Sequence, residues 1–205
     1  MDSPSLNFSS VSSERSLQPA KLLIHREDYV TCHIRAPEEP QRLSAIALEG
    51  KFYSFFRALR EPTKTLGLLL KLTARGNQVA MTPTNRGYVI WVHEPDSTLA
   101  LPANQSTPHT LPLTFGPANC WVIGERQPGY QACSLKLPDL PDDVLGLADS
   151  NQKLYSLYRR EGDAAHALKL AAKLVKRGDE VILLVRTTGY ILCVYEPGAK
   201  IAPPS

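Results

Sequence analysis

The sequence predicts an α+β fold made by tandem duplication. Two copies of a small ββ-β-α-ββ unit, mainly antiparallel sheet with one helix each, pair about a pseudo-two-fold axis. Three observations predict it. The first is an internal repeat: Lys51-Phe52-Tyr53-Ser54-Phe55-Phe56-Arg57 returns as Lys153-Leu154-Tyr155-Ser156-Leu157-Tyr158-Arg159, 102 positions on. Pairing 51–95 with 153–197 gives 16 identities in 45 positions, against roughly 3 expected by chance at ordinary composition. The second is one capped, amphipathic helical stretch per copy. The third is a closing apolar hairpin, with Gly87-Tyr88 and Glu94-Pro95 repeated as Gly189-Tyr190 and Glu196-Pro197.

Upstream the offset becomes 101, pairing Tyr29 with Tyr130, Cys32 with Cys133, Pro37 with Pro138 and Pro40 with Pro141. Copy two therefore gains one residue between about 143 and 152. The organisation that follows is a disordered Ser-rich leader 1–19, a first unit 20–97, a linker 98–117, a second unit 118–199 and a tail 200–205. Each unit has the size of a small domain, and joining two of them enlarges the core available to either.

Within a unit, Lys21 to Ile24 and Tyr29 to Ile34 are β-prone around Arg26-Glu27-Asp28, which suggests a hairpin. Cys120 to Ile123 and Tyr130 to Leu135 repeat the plan around Gln127-Pro128-Gly129. Pro-rich acidic loops follow, at Pro37-Glu38-Glu39-Pro40 and from Pro138 to Asp143. The aromatic runs 51–57 and 153–159 read as strands, with a short helix as the competitor. The clearest helix spans Ala164 to Arg177, with Asp163 as N-cap, cations in the last turn and Gly178 as terminator. Its counterpart is capped by Thr63 or Thr65 and ends at Arg75-Gly76.

The closing hairpin pairs Val181 to Val185 with Tyr190 to Tyr195, and Val79 to Thr82 with Tyr88 to His93. The repeated glycine marks a turn needing positive φ. Val181-Ile182-Leu183-Leu184-Val185 is apolar on both faces, so a helix covers one side and another layer the other. The second copy is the expected cover, with the copies packed face to face or joined edge to edge. Pro83 stands where the other copy has Val185, which places that strand end at an edge or bulge.

Composition narrows the function classes. The chain has 43% apolar residues and a net charge of +3, with 12 cations against 10 anions in 1–102 and 11 against 10 in 103–205. That balance does not call for a polyanionic partner. No segment has the length of a membrane span, so no membrane insertion is expected. Cys32, Cys120, Cys133 and Cys193 lack CxxC or metal-ligand spacing, which makes a reducing cytoplasm the simplest setting.

No phosphate loop, zinc-protease or nucleophile-elbow motif occurs, and no catalytic residue, metal ligand or cofactor is assigned. Of the five histidines, His93 beside Glu94 is the best catalytic candidate; a solvent-facing strand end explains it more simply.

The most suggestive constellation is polar and repeated. By period-two alternation Lys51, Tyr53, Phe55 and Arg57 share one strand face, as do Lys153, Tyr155, Leu157 and Arg159. Cations flanking aromatics on a sheet can stack bases and hold phosphates. The plainer reading packs the tyrosines beneath the helix and lets the cations reach water. Lys173 and Arg177 belong to a basic helix stripe that a solvated face explains. Trp91, which replaces Cys193, is core or marks a binding surface.

The shared residues are mostly structural, which argues against catalysis. The expected function is a non-catalytic binding or assembly protein, using both units as one protein-interaction platform. The alternatives are single-stranded nucleic-acid binding through the aromatic and basic strand faces, and an enzyme with its site in the crevice between units. Another protein is the expected partner, and the chain is a monomer with an internal pseudo-dimer or a weak homodimer.

Overall fold

The computed structural model describes residues 17–100 and 120–203. Most of the expected leader and linker, and the last residues of the tail, lie outside them. The first half holds β1 (Ala20–Leu22), β2 (Val30–Arg35), β3 (Leu43–Leu48), β4 (Lys51–Leu59), α1 (Pro62–Ala74), β5 (Val79–Thr84), β6 (Gly87–His93) and β7 (Thr98–Leu99). The second holds β8 (Cys120–Gly124), β9 (Tyr130–Lys136), β10 (Val144–Asp149), β11 (Leu154–Glu161), α2 (Ala164–Lys176), β12 (Val181–Arg186), β13 (Gly189–Tyr195) and β14 (Lys200–Ile201). The fold is mixed α+β: one sheet of fourteen strands and two α-helices among the described residues. No helix there is long and apolar enough to cross a membrane.

The strand order is β14-β9-β10-β11-β13-β12-β8-β1-β5-β6-β4-β3-β2-β7. It reads alike inward from either edge. The halves meet where β1 runs antiparallel to β8, with Ala20 opposite Val122 and Lys21 opposite Trp121. On their other sides β1 pairs parallel with β5 and β8 pairs parallel with β12.

Several expectations change. β1 and β2 do not form a hairpin, nor do β8 and β9. The first of each pair joins the central seam, and the second pairs with β3 or β10. Those two strands were not anticipated, because Leu43–Leu48 and Val144–Asp149 carry alanine, serine and glycine, which are poor strand formers. The Pro-rich acidic loops are the connections inside these outer hairpins. Residues 98–99 and 200–201, expected as linker and tail, are the short edge strands β7 and β14.

Both aromatic runs are strands. The one-residue slip falls in the turn just before them: Glu49-Gly50, with φ of 50° and 74°, corresponds to Ser150-Asn151-Gln152, with Gln152 at 61°. Asp149 braces the longer turn, its Oδ1 accepting from the Asn151 and Lys153 amides at 2.8 Å each.

The Asp163 carboxylate caps α2 by accepting from the His166 amide at 2.8 Å. In α1 neither threonine is the cap. The helix starts at Pro62 after Glu61, and Thr65 Oγ1 donates back to the Glu61 carbonyl at 2.8 Å. Both helices lie on one face of the sheet and touch each other over the seam. Beneath them one core joins Leu66, Leu69, Leu168 and Leu174 to Ala20, Leu22, Cys120 and Val122 from the seam strands.

The far face of the closing hairpins is not covered by the other half, because the halves share one sheet. It is covered by the sheet's own curl. Ile123 of β8 and Ala132 of β9 stand at opposite ends of a six-strand run, yet line one cavity. Pro83 costs no ladder bond on its outer side. The β1–β5 pairing ends at Met81, whereas β8–β12 continues to Val185.

Gly87 and Gly189 follow the two-residue turns, with φ of 137° and 135°. Sterics select glycine as much as φ does. A Cβ at 87 would collide with the Leu59 carbonyl oxygen, and at 189 it would lie 2.7 Å from that of Glu161. Gly87→Ala and Gly189→Ala should each cost about 2 kcal/mol or more in urea unfolding. The helical control Gly67→Ala, with nothing within 4 Å of the new Cβ, should gain about 0.5–1 kcal/mol. A neutral Gly87→Ala would contradict this reading.

Candidate functional site

A cleft of about 870 Å³ opens on the concave face at the seam, opposite the helices. Lys21 and Trp121 face each other across β1 and β8, and the Lys21 ammonium lies 5.3 Å over the indole. Around this pair the walls repeat. Lys51 and Tyr53 of β4 stand on one side, Lys153 and Tyr155 of β11 on the other. Gln78 and Glu180, which precede β5 and β12, complete each wall.

The walls are alike in plan and different in charge. Lys51 Nζ donates to Gln78 Oε1 at 3.0 Å. Lys153 Nζ reaches both Glu180 oxygens, at 2.9 and 2.8 Å, and the Tyr155 hydroxyl donates to Glu180 Oε1 at 2.5 Å. Tyr53 leans on His93 at 5.3 Å and Tyr155 on Tyr195 at 5.7 Å. Lys21 is also paired with Glu49. The cleft's formal charges are Lys21, Lys51 and Lys153 against Glu49, Asp149 and Glu180, so they cancel.

The titrations follow from this packing. Burial, then the charge of Glu49, pushes Tyr53 up to about 12. Burial raises Tyr130 to about 12, with Asp149 and Glu180 adding to it. Tyr155 rises further, from burial first and its bond to Glu180 second. The bond to Glu180 raises Lys153 against the opposing effect of burial. Away from the cleft, burial raises the Cys120 thiol to about 12; Cys193 reaches about 12 from burial and nearby Cys133. These hydroxyls and thiols stay protonated, the opposite of an activated nucleophile. Among the described residues no group of three or more His, Cys, Asp or Glu side chains could hold a metal ion.

The cleft gathers only part of the expected face. Lys51, Tyr53, Lys153 and Tyr155 converge there. Arg57 and Arg159 do not, because a bulge interrupts each strand. Phe55 pairs with Trp91 but Arg57 with Ile90, and Leu157 pairs with Cys193 but Arg159 with Leu192. The extra residue flips the alternation and carries both arginines to the helix side, where Arg159 pairs with Glu161 at 2.7 Å. The tyrosines lie on the face away from the helices rather than beneath them. Lys173 and Arg177 sit on the exposed side of α2, with Arg177 bound to Asp179 at 2.7 Å. Trp91 is core: it is 9% exposed and its Nε1 donates to Thr82 Oγ1 at 2.9 Å.

Sequence reasoning did not select Lys21, Trp121, Tyr130, Gln78 or Glu180. The available signals were that Tyr130 repeats Tyr29 and that Gln78 and Glu180 occupy matched positions.

The shared serines and glutamates have a structural use. Ser54 donates to Glu94 at 2.7 Å and Ser156 to Glu196 at 2.8 Å, tying each aromatic strand to the end of its closing hairpin. No family model matches the chain, nor does any curated protein or solved structure.

Burial, then Lys51, holds the His93 imidazole below its ordinary 6.5, with Glu94 opposing. The unfolded chain therefore takes up this proton first, so the His93 contribution to stability is lost as pH falls through about 6.5. His93→Tyr installs the residue found at the matched position, Tyr195. Its melting temperature should fall less than the parent's between about pH 7.5 and 5. Equal losses would contradict the assignment.

Proposed function

We propose that the chain is a duplicated, non-catalytic binding protein, whose two units form one platform for another protein about a pseudo-two-fold axis. The 16 identities over 45 positions and the strand order that reads alike from both edges support the duplication. The axis would pass between Lys21 and Trp121, the pair at the middle of the seam.

The observation that carries the binding reading is convergence. The polar residues the units share, Lys51 with Lys153 and Tyr53 with Tyr155, meet across the seam in one cleft. Its floor is aromatic and its walls carry both signs of charge with no net excess. That chemistry suits an extended polypeptide segment bearing charges of both signs, recognised by hydrogen bonds and contact with Trp121. It suits a phosphate backbone poorly, since affinity there comes from uncompensated cations. The displacement of Arg57 and Arg159 to the other face weighs against the nucleic-acid alternative in the same way. The protonated hydroxyls weigh against the enzyme alternative.

The test is a photo-cross-linking residue in place of Trp121, introduced in the native host, with Lys173 as the control position. A discrete protein adduct at 121, resistant to nuclease and missing at 173, is the expected result. A nuclease-sensitive adduct, or the same adduct at both positions, would overturn the proposal.

A further inference from the structure

A second cavity, of about 310 Å³, lies on the concave face of the second half; it shares Tyr130 with the seam cleft but is not lined by Lys21 or Trp121. Its body is apolar, formed by Leu145, Leu147, Leu157, Leu184, Ile191 and Cys193. Its rim carries Arg160 and Arg186. Arg186 is bound to Glu125 at 2.8 Å. Arg160 is exposed, and its guanidinium has no ion-pair or hydrogen-bond partner among the described residues.

The first half fills the matched positions with different side chains. Register identifies the matched positions. Leu157 opposite Cys193 corresponds to Phe55 opposite Trp91. There the two rings meet edge to face at 6.0 Å, and Trp91 is fixed to Thr82, the counterpart of Leu184. Two large rings thus stand where the second half has a leucine and a cysteine. The rim differs at the same time: Arg160 opposite Ile191 corresponds to Ala58 opposite Val89, and Arg186 opposite Gly189 to Thr84 opposite Gly87. An apolar opening and two guanidinium groups occur together in the second half, whereas the matched positions of the first carry two large rings and no guanidinium.

We propose that this cavity binds a small amphipathic anion, with an apolar body of about ten heavy atoms and a carboxylate-like head. The size follows from the volume, which equals that of about ten liquid waters and lies at the lower end for small-molecule sites. The head group follows from Arg160, an always-charged fork of donors matched to a carboxylate. The leucine and isoleucine walls supply the remaining affinity. Bound this way, the ligand's body covers Leu145, which is otherwise 59% exposed.

The test is isothermal titration calorimetry of the full chain with straight-chain carboxylates from hexanoate to dodecanoate, and with decanol as the neutral comparison. One site per chain is expected, with affinity rising about fourfold per methylene and levelling once the cavity is filled. Decanol should bind at least about tenfold more weakly than decanoate, and Arg160→Ala should lose about the same factor. Cys193→Trp, which installs the first half's residue, should abolish binding. Leu145→Glu, in the cavity wall at a position 59% exposed, should also abolish it and covers the case in which the tryptophan variant does not fold.

No decanoate binding at ~1 mM, equal affinity for decanol, or affinity unchanged in Arg160→Ala and Leu145→Glu would overturn the proposal. Tyr130 borders both sites, but Arg160 and Leu145 line only this one, so loss of carboxylate binding in Arg160→Ala and Leu145→Glu is read separately from loss of the protein adduct at position 121.

Discussion

Everything else in the structure depends on the pairing of β1 with β8. β1 is three residues long, yet it closes the gap between two otherwise separate sheets. Ala20, Leu22, Cys120 and Val122 are 0–1% exposed there, under the two helices. Separated, each half would present an open strand edge with its apolar side chains in water, the arrangement that invites aggregation. The hydrophobic contribution is about 1.5–3 kcal/mol for each large side chain so covered. The same pairing places Lys21 against Trp121 and brings the walls of β4 and β11 within reach of one ligand. The candidate site therefore belongs to neither half alone.

On this shared frame the halves have been filled differently. One wall of the cleft is neutral at Gln78, whereas the other fixes a lysine and a tyrosine on Glu180. One concave surface is packed with Phe55 and Trp91, whereas the other is open over Leu157 and Cys193. The matched positions that carry the same residue in both halves mostly hold the frame itself. Ser54 and Glu94, Ser156 and Glu196, Gly87 and Gly189 each close a strand contact. Among the positions that differ, Gln78 against Glu180 and Trp91 against Cys193 change charge and volume on the concave face.

Much of the frame was legible because it is local. The Asp163 cap, the Gly178 terminator and the apolar hairpins are signals carried by a few adjacent residues. The outer strands Leu43–Leu48 and Val144–Asp149 were hidden, because their pairing, and not their propensity, makes them strands. The bulges were hidden too. Phe56 and Tyr158 continue an aromatic run, and nothing in the run says that one residue drops out of register. That one-residue shift moved Arg57 and Arg159 away from the tyrosines they accompany in sequence. The exchange of Trp91 for Cys193 was visible as a difference, but its meaning needed the cross-strand neighbour that only the register supplies.

The central claim is that the seam makes the two halves one cooperative body. The chain offers a direct probe, because its two tryptophans lie one in each half, Trp91 on β6 and Trp121 on β8. Single-tryptophan variants, Trp121→Phe and Trp91→Phe, would be unfolded in urea and followed by fluorescence and by far-ultraviolet circular dichroism. The account predicts that in each variant the fluorescence and dichroism transitions coincide in midpoint and slope, as two-state unfolding requires. A biphasic dichroism transition, with each tryptophan following a different phase, would contradict it.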